Sequence, residues 1–148
     1  MPRYVTAIPT TWSVDEAFSY MSDFANAQYW DPSVVSALRI DDGELAVNSE
    51  FELTVRFAGR DKTLRYQITS LDPARLVTFT SSDGALWSSD TLTFESRAGG
   101  CEVTYSAELR FTGVAAIANP ILSLLFRRLG DRARDSLREI LRGPREAT

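Results

Sequence analysis

The sequence predicts an α+β fold: a curved antiparallel sheet of about seven strands wrapped around one long C-terminal helix, with two short helices between strands 1 and 2. Three observations predict it. From Val34 to Thr112, apolar and polar residues alternate in successive runs separated by turn residues, the pattern of strands buried on one face. From Leu122 to Ile140, apolar residues instead recur at helical spacing. Between the first strand and Val34, the segment Thr10 to Pro32 carries helix signals where a hairpin would be expected. With 148 residues the chain is read as one domain, 1–148, large enough to bury a core.

The first element, MPRYVTAIPT, reads as a strand. Ser13-Val14-Asp15-Glu16 then has the form of a capping box, with carboxylates at the positive end of the helix dipole. Val14, Ala17, Phe18 and Met21 share one helical face. Asp23 can cap a second short helix over Phe24 to Tyr29, and Pro32 stops it by pushing Asp31 toward extended geometry.

The run FSYMSDFANAQYWDPSV, Phe18 to Val34, resembles the N-terminal signature of the START-like superfamily. This group is also called Bet v 1-like, and the resemblance is to its polyketide cyclase/dehydrase-like branch. In it a helix ends, a bend with an Asn follows, and a Trp-Asp-Pro turn leads into the second strand. The resemblance implies the helix-grip fold over nearly the whole chain. For function it implies only a range, because the superfamily hosts cyclases, lipid carriers, hydrolases and stress proteins.

The later elements follow from patterning. Val34 to Asp41 is a strand ended by the hairpin signal Asp41-Asp42-Gly43. In Glu50 to Phe57, residues Phe51, Leu53, Val55 and Phe57 share a face. Thr63 to Leu71 turns Leu64, Tyr66 and Ile68 inward, and Asp72-Pro73 breaks it before Leu76 to Thr80. Ser81 to Gly84 reads as a turn, and Ala85 to Glu95 pairs through Gly99-Gly100 with Cys101 to Thr112. Val103, Tyr105, Ala107, Leu109 and Phe111 share the apolar face of that last strand. The final helix, Ala115 to Arg142 with Asn119-Pro120 near its start, covers the apolar faces through Leu122, Leu125, Phe126, Leu129, Ala133, Leu137 and Ile140.

Composition excludes much chemistry. The chain has no histidine, so a His-containing triad is impossible and the commonest general base near neutral pH is missing. With one cysteine, Cys101, neither an internal disulfide nor a structural zinc site is expected, and no cofactor is implied. The single lysine, Lys62, sits beside an expected turn, which argues against a buried Schiff-base lysine. A formal net charge of −4 argues against nucleic acid as a partner. The arginines from Arg127 onward alternate with Asp131, Asp135 and Glu139 and read as a solvated helix face. No membrane span or signal peptide is recognised, so a cytoplasmic protein without integral membrane association is expected, with a homodimer left open.

A curved sheet cannot touch its helix everywhere, and the gap becomes a cavity. Trp30, Phe57, Tyr66, Phe79, Tyr105, Leu109, Leu122 and Phe126 are the expected ligand-contacting residues, Trp30 foremost because the helical pair reads as a lid. Phe51, Phe94 and Phe111 are assigned to ordinary core. Counting back from Leu92 and Phe94 turns Asp90 and Ser88 inward, while Trp87 at the opposite parity allows a bulge near Ser88-Ser89 that would reverse this. Asp90, Tyr66 and Tyr105 are the candidate catalytic residues, a carboxylate and two phenols in apolar surroundings. Arg56, Arg65 and Arg110 all fall at polar parity, whereas the cyclases of the resembled group are thought to use arginine as well as tyrosine and acidic groups. Two functions compete: binding of a small hydrophobic molecule (a lipid, isoprenoid or polyketide-like aromatic), and polyketide cyclase/dehydrase-like catalysis in the same cavity. A weaker alternative is a protein-interaction module.

Overall fold

The computed structural model describes residues 3–57, 59–84, 86–111 and 119–143, with the side chains of residues 119–122 outside the described set. Seven strands form one antiparallel sheet: β1 (Arg3–Thr10), β2 (Val34–Arg39), β3 (Glu50–Phe57), β4 (Arg60–Asp72), β5 (Leu76–Asp83), β6 (Leu86–Arg97) and β7 (Gly100–Phe111). Their order is β1-β7-β6-β5-β4-β3-β2, so β2 through β7 form a meander and β1 closes onto β7 at the far edge. Helix α1 (Val14–Ser22), a 3₁₀ turn (Phe24–Asn26) and the single-turn α2 (Ala27–Trp30) carry the chain from one edge strand to the other. Helix α3 (Asn119–Arg142) packs on β1 and lies over the concave face.

Local chemistry explains the connection between the edges. Ser13 Oγ accepts from Glu16 N–H at 3.1 Å while Glu16 Oε1 accepts from Ser13 N–H at 2.9 Å, the reciprocal capping box. Asp23 Oδ1 caps the 3₁₀ turn through Ala25 N–H at 3.1 Å. Phe18 packs edge-on against Phe94, seating α1 on the sheet. The expected second helix therefore exists as a 3₁₀ turn followed by one α turn that includes Trp30.

Strand boundaries differ from expectation in three places. Ser81 to Asp83 continue β5 rather than turning, and Ser81 is buried. Strand β4 begins at Arg60 rather than Thr63, because the turn after Phe57 is tight and Gly59 supplies its positive φ of 79°. The link from β2 to β3 spans residues 40–49 rather than a tight hairpin, with Gly43 and Asn48 both at positive φ. Strand β6 pairs β5 and β7 without a register break, so no bulge reverses Ser88 and Asp90. A shift between Val34 and Ser36 in β2 places Val34 and Ala37 on the same buried face. The expected helix start at Ala115 and the final-strand residue Thr112 lie outside the described residues.

The sheet curls strongly. At a strand spacing of about 4.8 Å, β3 and β7 would stand roughly 19 Å apart in a flat sheet. Yet the Phe57 and Phe111 rings stack with centroids 6.4 Å apart. Helix α3 crosses β1 at Gly130, where any Cβ would strike the Tyr4 ring, and the Tyr4 hydroxyl donates to Asp131 at 2.8 Å. That close approach closes one side of the grip.

Candidate functional site

Burial along each element locates the site. On β3, Phe51 and Leu53 are buried while Val55 and Phe57, on the same face, are only partly so. On β7, Val103, Tyr105 and Ala107 are buried and Leu109 and Phe111 are not. On α3, Ala133, Leu137 and Leu141 are buried, whereas Leu129 and Phe126, one and two turns earlier, are not. Sheet and helix separate toward the β3–β4 turn and leave a cavity of about 340 Å³, at the lower end of the range for small-molecule sites.

The cavity has a polar floor. Tyr66 and Ser88 exchange a hydroxyl–hydroxyl bond of 2.9 Å across the curled sheet. The Tyr105 hydroxyl donates to Asp90 Oδ1 over a long 3.5 Å. Asp31, at the end of α2, joins them and accepts from the Ser33 backbone at 3.0 Å and from the Ser33 hydroxyl at 2.8 Å. Burial, and then the charge of Asp31, push the Asp90 carboxyl up to about 7, against the opposing pull of the Tyr105 hydrogen bond. Burial also raises Asp31, with both Ser33 bonds opposing it. Both tyrosines are raised, first by burial and then by Asp90, which keeps their hydroxyls protonated as hydrogen-bond donors.

The rim has the opposite charge. On β4 the inward face reads Ile68, Tyr66, Leu64, Lys62, Arg60 from floor to opening, and the last two border the cavity. Lys62 pairs with Asp83 at 3.0 Å, and the neighbouring Arg56 pairs with Asp61 at 2.7 Å. Arg60 forms no ion pair among the described residues.

Most expected residues converge here. Asp90, Tyr66, Tyr105, Phe57, Leu109 and Phe126 all line the cavity. Trp30 and Phe79 are placed one layer behind the wall instead. Trp30 packs edge-on behind Tyr105 at 5.4 Å, its indole N–H buried without a partner among the described residues. Phe79 stacks on Phe24 at 4.0 Å, and Phe24 takes the wall position. Both are fully enclosed because the helical connection plugs the sheet's deepest curvature. Phe111, assigned to ordinary core, instead lines the opening, since the separation of sheet and helix reaches the end of β7. The side chain of Leu122 lies outside the described residues.

Sequence reasoning missed Arg60, Lys62 and Asp31. The first two were readable: stepping back by twos from Leu64 leads through Lys62 to Arg60, once β4 is extended to its true start. Trp87 does face outward, beneath the Arg110 guanidinium at 4.4 Å from its ring. Among the described residues no cluster of three or more His, Cys, Asp or Glu could hold a metal ion, and no helix is long and apolar enough to cross a membrane.

A curled seven-stranded sheet gripping one helix around a cavity is shared with solved structures of low sequence identity. A START superfamily protein from Mycobacterium smegmatis superposes with a TM-score of 0.77 at 10% identity, covering 94% of this chain and 96% of that one. The Zhui aromatase/cyclase from Streptomyces sp. R1128 gives 0.71 at 14% identity, covering 93% and 91%. The major latex-like protein 151 of Panax ginseng gives 0.64 at 12% identity, covering 92% and 96%. No curated protein sequence matches the chain. The family described as polyketide cyclase / dehydrase and lipid transport matches residues 1–142. The chain belongs to that family. For a member of the polyketide cyclase / dehydrase and lipid transport family, the fold and family together support hydrophobic-ligand binding or cyclase/dehydrase activity.

Proposed function

We propose that the protein binds a small hydrophobic molecule in the cavity between the sheet and α3. One observation carries this reading: the void is walled by Leu53, Val55, Leu64, Ala107, Leu109 and Phe126, with its polar groups gathered at the floor and rim. Apolar walls supply binding free energy in proportion to the area they remove from water, and a few polar groups set orientation. Native mass spectrometry of the purified protein tests it. The expected result is a co-purifying or added apolar ligand held at one per chain. A protein that takes up no apolar ligand from a broad set would overturn the reading.

A second reading rests on Asp90. A carboxyl that ionises at about 7 in apolar surroundings is matched to proton transfer near neutral pH. In cyclase/dehydrase chemistry, Asp90 would accept the proton from a carbon beside a carbonyl. The Tyr66 or Tyr105 hydroxyl would donate a hydrogen bond to the enolate oxygen, and protonated Asp90 would then return its proton to a departing hydroxyl, releasing water. Orientation by the cavity would supply much of the remaining barrier reduction. Asp90→Asn is expected to abolish turnover of a poly-β-keto mimic while leaving its affinity within about threefold. Unchanged turnover discards the role.

A further inference from the structure

The cavity carries acids toward one end and cations toward the other, and nothing in the apolar-binding reading requires this. Toward the floor stand Asp31 and Asp90 with Ser88, Tyr66 and Tyr105. At the opening stand Arg60 and Lys62, on the inward face of the strand that carries Tyr66 and Leu64. Between them the wall is apolar. We infer that the ligand is a compact apolar acid, held with its anionic group at Arg60 and its other end, bearing a hydrogen-bond donor such as a hydroxyl, at the Asp31–Asp90 floor.

Four features direct the anion to Arg60. The other two cations of the opening are already neutralised, Lys62 by Asp83 at 3.0 Å and Arg56 by Asp61 at 2.7 Å. Arg60 forms no ion pair among the described residues, and its side chain stands at inward parity opposite Phe57. A guanidinium presents a planar fork of donors that a carboxylate or phosphate accepts in bidentate fashion. The tight turn at Gly59, with φ of 79°, fixes where that fork emerges from the strand.

The floor acts by exclusion as well as attraction. A carboxylate pushed to the floor would hold Asp31 and Asp90 in their neutral forms or be repelled by whichever is ionised, without any positive side chain lining that end to compensate. A hydroxyl there would donate to a carboxylate and relieve part of its desolvation. The two ends therefore impose one orientation on a ligand that carries both groups. The inference rests on the hydrophobic-binding reading and adds the ligand class to it.

Isothermal titration calorimetry with a matched set of ten-carbon ligands tests the idea: 10-hydroxydecanoic acid, decanoic acid, decan-1-ol, decylamine and decyl phosphate. The hydroxy acid is expected to bind most tightly, decanoic acid at least tenfold more tightly than decan-1-ol, and decylamine more weakly than decanoic acid. Arg60→Gln is expected to weaken the acids about tenfold and the alcohol less than twofold, with the unfolding temperature unchanged because the residue is exposed. Raising salt should reproduce that pattern in the unsubstituted protein. Comparing decanoic acid with decyl phosphate distinguishes a free acid from a phosphate-bearing ligand as the source of the anion. Equal affinity for acid and alcohol, or an Arg60→Gln variant that weakens both alike, would overturn the inference while leaving hydrophobic binding intact. Binding of none of the set would contradict the hydrophobic reading itself and this inference with it.

Discussion

The floor and the rim of the cavity both carry charge, but burial gives that charge different consequences. At the floor, Asp31 and Asp90 are half-buried against the cavity, lack any cation partner among the described residues, and are both pushed toward the neutral form. At the rim, Lys62 and Arg56 are exposed and already ion-paired. A buried carboxylate without a counter-ion destabilises the fold that holds it, whereas an exposed ion pair contributes little either way. Floor charge is thus a stability liability retained where a ligand would meet it. Rim charge can alter affinity with almost no effect on folding.

Substitutions at the two ends should therefore separate stability from binding. The largest effect is expected just behind the floor. Trp30→Ala removes the ring that backs Tyr105, and chemical denaturation should show a loss of about 3–5 kcal/mol. A loss below about 1 kcal/mol would mean that the floor is not held from behind.

Asp90→Asn should act in the opposite direction. A folded-state pKa of about 7 lies above the unfolded value, so the folded protein binds more protons between those two values and loses stability as pH rises through them. The amide cannot ionise. At pH 8 the variant should be more stable by roughly 1–3 kcal/mol, and the difference should vanish near pH 4, as read from unfolding curves across pH. A pH-independent difference would contradict the buried-acid account. The smallest effect belongs to the rim: Lys62→Ala should change stability by no more than about 0.5 kcal/mol at any of these pH values, because its partner Asp83 is exposed as well. A larger loss would make the rim a structural element rather than a binding one.

How legible these regions were depended on whether a local rule governed them. The capping box at Ser13–Glu16, the alternation in β3 and β7, and the helical stripe through Ala133 and Leu137 are local patterns, and the observed elements follow them. Asp90 and Tyr105 could be turned inward by parity alone because β6 and β7 pair without a break. Trp30 was harder to place. Its position behind Tyr105 depends on where α2 lands against a strand 75 residues later in sequence, which no periodicity encodes. Asp31 was hidden for the same reason, since a Trp-Asp-Pro turn fixes a bend and not the direction of the carboxyl. Arg60 escapes a reading that starts the strand at Thr63, because the turn at Gly59 is tight enough for β4 to begin at Arg60. Curvature, which makes the cavity, is a property of the whole sheet and shows only in contacts such as Phe57 with Phe111.

The central claim is that the space between sheet and α3 is a ligand site. Ala107 lines it at the level of Asp90, its cross-strand neighbour. Filling the space with Ala107→Phe tests the claim directly, by titrating decanoic acid into the unsubstituted protein and the variant in the same calorimeter. The account predicts one site per chain in the former and at least thirtyfold weaker binding in the latter, with the variant still folding cooperatively. Equal binding by a folded variant would place the ligand elsewhere and contradict it.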